Sequence, residues 1–221
     1  MQPLITNQDL TPTVGPRLIL ASASPARAAL LRSAGLDFEV AVAPDSAEAG
    51  ALAAAQGTGA SPEELVLAAA RAKAEAVAGT LDGRERVILA ADTVVVAADG
   101  GIVGKGRDDA ESAAILRRLS GSRHRVLTGA VVLDMPSGRR RELTASTTVE
   151  MAPMSDAEIA AYVAAGSAAD AAGAYRIQED GTDRFVRVAS GSFSNVVGLP
   201  VEEIIRELAA VGVHPAADRK E

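Results

Sequence analysis

The apolar positions of this chain switch repeatedly between runs of strand length and helical spacing. An apolar run at 17–21 predicts a strand, and Ser24-Pro25 then opens a helix, with Ser24 as N-cap and Pro25 at the first helical position. Alternation at 38–43 returns to strand, and the glycine- and alanine-rich stretch 49–60 reads as a surface loop. Ser61-Pro62-Glu63-Glu64 is a capping-box pattern that opens a long helix to residue 78. The run 87–98 is a strand, turned by Asp99-Gly100-Gly101 into a short return strand at 102–103. A helix follows at 108–119, then strands at 124–133 and 140–150 around a turn at 135–138. A capped helix at 155–165, a strand at 185–189 and a helix at 201–210 complete the pattern. Helices and strands interleave while the hairpins require antiparallel neighbours, so the expected class is α/β with a mixed sheet. Residues 1–16, polar and rich in proline, read as a flexible extension, 17–212 as one domain, and 213–221 as a flexible tail.

Composition narrows the function. A chain of 221 residues, 48% apolar, can bury a sizeable core and is not disordered. Aromatic residues make up 2%, with no Trp, which argues against a stacking platform for single-stranded nucleic acid. The formal net charge of -7 disfavours general binding to nucleic acid polymers or to an anionic membrane. The absence of Cys excludes disulfides, thiolate nucleophiles and thiolate zinc sites. With no long apolar span and no signal-peptide pattern, a soluble cytoplasmic protein is the expectation.

Asp92 stands out against this background. It ends the apolar run 87–91 and is followed by Thr93 and three valines, a place where a carboxylate costs several kcal/mol unless it is compensated. A metal ion, a lysine or a reacting water would each serve. Other candidates have plainer alternatives. Ser22, Ser24 and Arg27 lie at a strand-to-helix turn whose free N–H groups suit a phosphate, but the plainer reading, a capped helix with a surface arginine, leads. Lys73 on the long helix and Lys105 between two glycines can reach a ligand or can be ordinary solvated lysines, and Glu48 has the same surface alternative. Gln178 and Asn195 can read a base edge or tie a loop to itself, and for these the structural role leads. His124 reads as a strand-start histidine rather than a base. No Walker pattern, dinucleotide fingerprint, histidine metal cluster or nucleophile elbow is present.

Several segments occur together in one order: Ser22-Ala-Ser-Pro-Ala-Arg27, Ala-Arg-Ala-Lys73-Ala, Ala-Asp92-Thr93-Val-Val, Gly104-Lys105, Leu119-Ser-Gly-Ser-Arg-His124-Arg-Val-Leu-Thr-Gly129, Ala172-Gly-Ala-Tyr-Arg-Ile-Gln178 and Asn195-Val-Val-Gly-Leu-Pro200. This ordered set resembles the Maf family of nucleoside triphosphate pyrophosphatases. The resemblance implies an elongated mixed sheet with flanking helices and two lobes around a cleft, as in the inosine triphosphate pyrophosphatases. It implies cleavage between the α- and β-phosphates, and commonly a homodimer. By motif, Asp92 takes the position of the proton acceptor. Thr93 and Gln178 take positions tied to base choice, in the subgroup acting on dTTP and UTP, while Ser22, Ser24, Arg27, Lys73 and Lys105 match polar cleft residues. Glu48 matches the acidic position after the second strand with one residue inserted. Glu48 and Asp92 could then bind Mg2+ or Mn2+ together with phosphate oxygens.

The chain also departs from the family pattern, and two of the departures remove cations from the cleft. Ala26 replaces the first of two usual arginines, Ala171 a usual lysine, Ser167 a glutamate, Gly106 a proline and Arg176 a glycine. With two fewer cations, weaker triphosphate binding or an altered base preference is expected. A different class of function is the alternative: a nucleotide-sensing or partner-binding regulator of cell division without turnover, given the family's link to septum formation.

Overall fold

The computed structural model describes residues 16–57, 59–81, 86–166, 168, 171–179 and 181–216. The elements run β1 (Arg17–Leu20), α1 (Pro25–Ser33), β2 (Glu39–Val40), α2 (Asp45–Gly57), α3 (Pro62–Ala78), β3 (Arg86–Val96), β4 (Ile102–Val103) and α4 (Asp109–Leu119). They continue with β5 (Arg123–Asp134), β6 (Arg139–Met151), α5 (Asp156–Ala164), a 3-10 turn (Thr182–Arg184), β7 (Val186–Ser190), α6 (Phe193–Val197) and α7 (Val201–Ala209). One mixed sheet has the order β2-β1-β3-β5-β6-β7, with β4 also paired to β3. The expected α/β class with a mixed sheet is therefore what the chain forms.

The pairing of β3 builds the cleft. Its whole length from Val87 to Val96 is taken on one edge by antiparallel β5. On the other edge β1 runs parallel and stops at Leu20, opposite Leu89, while β4 runs antiparallel and begins only at Val95. The Ala21 N–H adds one more bond, to the Leu89 carbonyl at 2.8 Å. Between these two partners the β3 edge at 90–94 is left open, in the middle of the sheet. Such a reversal point in an α/β sheet is where ligands gather.

Three cores flank this opening. Leu18, Leu20, Leu89 and Ala91 pack on one face against Leu31 of α1 and Ile204 and Leu208 of α7. Ile19, Ile88, Ala90 and Val131 pack on the other face against Ala70, Ala74 and Val77 of α3. Beyond the gap, Val95, Val126 and Val149 pack against Leu116 and Leu119 of α4 and Ile159 and Val163 of α5. The long strands β3, β5 and β6 pass through both halves, which gives two lobes on one continuous sheet.

Four local expectations need correction. The stretch 49–60 is not a loop, for α2 covers Asp45–Gly57 and packs on α3. Alanine is the best helix former, and the cost of one interior glycine, about 1 kcal/mol, does not outweigh the six alanines of this helix. The strand predicted at 38–43 shrinks to two residues, because β1 ends at Leu20 and nothing beyond Ala41 has a partner to pair with. Residues 193–197 form the unexpected α6, too short for periodicity to reveal, with Ser192 as its cap. The expected loose tail is packed at its start: Val213 joins the first core, and the Ala216 N–H donates to the Gly35 carbonyl at 2.8 Å. Residues 1–15 of the expected extension, 217–221 of the tail and Ser167 lie outside the described residues.

Candidate active site

Asp92 lies in mid-strand at the open edge of β3, not at a strand end, and is 9% exposed. Its counter-charge is Lys73, whose Nζ donates to Asp92 Oδ1 at 2.8 Å and lies 2.8 Å from Glu48 Oε2. Three elements meet in this cluster. The strand holds Asp92, α3 presents Lys73 on its sheet-facing side, and α2 brings Glu48 from its first turn.

The sequence places Lys73 with some care. Ser61 accepts from the Glu64 N–H and the Glu64 carboxylate reaches back to Ser61, so the capping box starts α3 at Pro62. Val66, Ala69, Ala70, Ala74 and Val77 line its buried side, and their mostly small side chains let the helix approach the sheet closely. Contact is tightest at Gly129 of β5, where a Cβ would lie 2.6 Å from the Val66 carbonyl carbon and 2.7 Å from Leu67 N. Only glycine fits there. Lys73 follows Val66 by two helical turns, which carries it to the open edge.

A second group forms around Arg27. Ser24 caps α1 by accepting from the Arg27 N–H at 3.3 Å, and Pro25 occupies the first turn, as the sequence predicts. The guanidinium, however, is not a surface group; it is 8% exposed. Its Nε donates to the Gly198 carbonyl at 2.9 Å, Nη1 to Ser22 Oγ at 3.2 Å and Nη2 to Thr93 Oγ1 at 2.9 Å. Burial holds the Arg27 pKa below its ordinary value, while the nearby carboxylates of Asp92 and Glu48 pull it back up. Ser22 Oγ also accepts from the Ser24 N–H at 3.2 Å, and Thr93 Oγ1 shares a 3.0 Å bond with the buried Thr128 hydroxyl.

Glu48, Lys73, Asp92, Ser22, Ser24, Arg27 and Thr93 are thus brought together from four segments of the chain. Lys105 and Gln178 stand apart, both exposed, and among the described residues neither is joined to the cluster by a hydrogen bond or ion pair. They do share a wall: Lys105 forms an isolated antiparallel bridge with Ala172, and the Gly173 N–H donates to the Gly104 carbonyl at 3.1 Å. Asn195 is fully buried and donates through Nδ2 to the Val126 carbonyl and Thr147 Oγ1, the structural role that led. Thr128 and the Gly198 carbonyl were missed. Both lie inside quoted motifs, but nothing local marks a strand threonine as the partner of the Thr93 hydroxyl, or a backbone oxygen as the acceptor of a distant arginine.

An α/β sheet opened at its centre thus carries a carboxylate–lysine–carboxylate cluster beside a serine-lined helix start, on one sheet shared by two lobes. The chain belongs to the family described as Maf-like protein, whose model matches residues 17–211. It is 45% identical over 195 residues to a dTTP/UTP pyrophosphatase of Geotalea uraniireducens, covering 88% of this chain and 95% of that one. Proteins of the same name in Salinibacter ruber and Geobacter sulfurreducens are 43% and 42% identical, over 87% and 89% of this chain and 90% and 97% of theirs. Among the described residues no helix is long and apolar enough to cross a membrane.

Proposed function

We propose that this protein hydrolyses nucleoside triphosphates to the monophosphate and pyrophosphate, acting on pyrimidine substrates of the dTTP and UTP kind. The observation that carries the reading is the Lys73 ammonium, 2.8 Å from both Glu48 and Asp92 at the open edge of β3. Relatives over nearly the same length bear the name of that activity.

Two carboxylates that converge on one cation are a donor set suited to Mg2+ or Mn2+ when phosphate oxygens and water fill the rest of the shell. Among the described residues no third Asp, Glu or His joins them, so such an ion would be shared with the substrate rather than caged by protein. Glu48 and Asp92 would hold it, and it would supply neutralisation of the phosphate charge.

The side chains then have distinct tasks. Asp92 orients a water and takes its proton as the oxygen bonds to the α-phosphorus. The bond from that phosphorus to the bridging oxygen breaks, and pyrophosphate leaves. Lys73, freed from one or both carboxylates, turns its ammonium to the phosphates. Ser22 Oγ already accepts from the Ser24 and Arg27 donors, which leaves its O–H hydrogen for a phosphate oxygen, and Ser24 does the same from the helix cap. Arg27 contributes positive charge and holds Ser22 and Thr93 in place. Thr93 and Gln178 face the base, and Lys105 completes the cationic lining. A cytoplasmic homodimer belongs to the same reading; a particle with the mass of one chain in solution would remove that part of it.

The test is hydrolysis in 18O-labelled water with a panel of ribo- and deoxyribonucleoside triphosphates and Mg2+ or Mn2+. The reading expects pyrophosphate release, pyrimidine preference and label in the monophosphate. Label in the pyrophosphate instead would place attack at the β-phosphorus, and binding without release would favour a nucleotide sensor.

A further inference from the structure

Far from the charged cluster, the core beyond the gap encloses a polar pair. His124 of β5 is 2% exposed, and its Nε2 shares a 2.8 Å hydrogen bond with the hydroxyl of Tyr175, which is 5% exposed. The rings meet edge to face, with centroids 5.5 Å apart. Burial lowers the imidazole pKa to about 4 and raises that of the phenol, so both groups are neutral near pH 7. The bond between them is short, directional and shielded from water.

Tyr175 sits inside the segment 171–178, which forms the wall shared by Lys105 and Gln178. On its N-terminal side this segment is bridged to Lys105 through Ala172, and to Gly104 through the Gly173 N–H. The chain then turns through two left-handed residues, Gly173 at φ +76° and Ala174 at φ +57°. For alanine that conformation costs about 1 kcal/mol, so something must hold it. On the C-terminal side the Arg176 N–H donates to the Tyr162 hydroxyl of α5 at 3.1 Å. Gln178 follows, exposed, with its position set by the backbone leading to it.

We propose that His124 and Tyr175 are positioning residues for the nucleotide site: their hydrogen bond pins the 171–178 segment to β5, so that Gln178 and Lys105 stand in a fixed register across the cleft from Asp92. The Ala174 N–H closes its turn on the Ala171 carbonyl at 3.0 Å, and an apolar pair could fill the same space as His124 and Tyr175 but would not tie the residue after that turn to β5 through a directional bond. The link runs through β5, whose next residues pair with β3 from Arg125–Val96 down to Gly129–Asp92. The wall that reads the base is thereby registered to the strand that carries the reaction. This inference rests on the nucleotide reading proposed above.

Tyr175→Phe and His124→Gln test it, each keeping most of the side-chain volume. Two readouts are needed: amide hydrogen exchange of the 171–178 segment and of α3, and affinity for a non-hydrolysable α,β-imido analogue of dUTP beside kcat and KM for dTTP and dATP. The expected result is about tenfold faster exchange confined to 171–178. With it, analogue affinity falls and KM for dTTP rises about tenfold, the preference for dTTP over dATP shrinks, and kcat stays within about twofold. Unchanged exchange and preference, or faster exchange across α3 and 171–178 alike, overturns the inference and leaves the activity standing. A wild-type protein that binds the analogue without turnover refutes the hydrolase alone, and the affinity arm still decides the positioning role. A wild-type protein that neither binds nor turns over refutes both.

Discussion

Asp92 and Gly129 are partners across the β3–β5 ladder, and Gly129 is also where the backbone of α3 touches the sheet. One ladder rung thus sets both the carboxylate and the distance of the helix that supplies its lysine. Gly129→Ala would place a methyl within 2.6–2.8 Å of Val66 and Leu67 backbone atoms, which cannot move as a side chain can. The helix must lift or tilt. We expect a stability loss of about 2 kcal/mol or more and a fall in activity larger than that loss explains, because Lys73 moves with the helix. Urea denaturation beside the rate at saturating substrate checks this; a variant of wild-type stability and rate would show that the close approach does not position Lys73.

Lys73→Met removes the cation that, among the described residues, ion-pairs with both Glu48 and Asp92, while keeping the aliphatic stem. The side chains of Lys73 and Asp92 are 14% and 12% exposed, so the loss resembles breaking a largely buried pair, about 2 kcal/mol or more. A divalent ion can take the vacated place. Mg2+ or Mn2+ should therefore raise the melting temperature of the variant more than that of the wild type, without nucleotide present. An identical metal response in both proteins would argue that the carboxylates do not form the ion site.

The His124 imidazole supplies a pH signature of the second lobe. Burial lowers its folded pKa from the ordinary 6.5 to about 4, so the unfolded chain binds the extra proton first as pH falls. The linked stability is complete above pH 6.5 and declines as pH drops toward 4, by about 3 kcal/mol in total. Below that the slope from this group ends. His124→Gln should flatten the stability curve between those limits relative to wild type; parallel curves would contradict the burial-driven shift.

Ala26 and Ala171, both half-buried, stand where the family pattern carries cations. Restoring them as Ala26→Arg with Ala171→Lys should lower KM for triphosphates several-fold, each charge contributing about 0.5–1 kcal/mol. The gain should shrink as salt is raised through the range where the screening length drops below about 10 Å. A KM insensitive to both charges would mean that these positions do not face the phosphates.

Much of this was legible in the chain. The long strand runs, the capping boxes at Ser61 and Ser155 and the Asp99-Gly100-Gly101 turn are local signals that land on the elements they predict, while the run at 38–43 does so only at Glu39–Val40. Asp92 was legible because a carboxylate in an apolar strand demands a partner, and the partner is Lys73. What could not be read was long-range. Arg27 looks like a surface residue of α1, yet Gly198, 171 positions away, accepts from it. The alanine-rich stretch that reads as loop is the helix that delivers Glu48, since composition shows propensity but not what a helix packs upon. His124 is at the strand start, as the sequence indicates, but its bond to Tyr175, 51 positions away, could not be read from it.

If Asp92 is the proton acceptor in triphosphate hydrolysis, Asp92→Asn removes that function most directly, since the amide keeps the shape and loses the charge. Pyrophosphate release from dTTP and UTP with Mg2+ or Mn2+ should be clear for the wild type and at least about a hundredfold slower for the variant, at matched folding. Equal rates for the two proteins, or no release by the wild type from any triphosphate, would contradict the account.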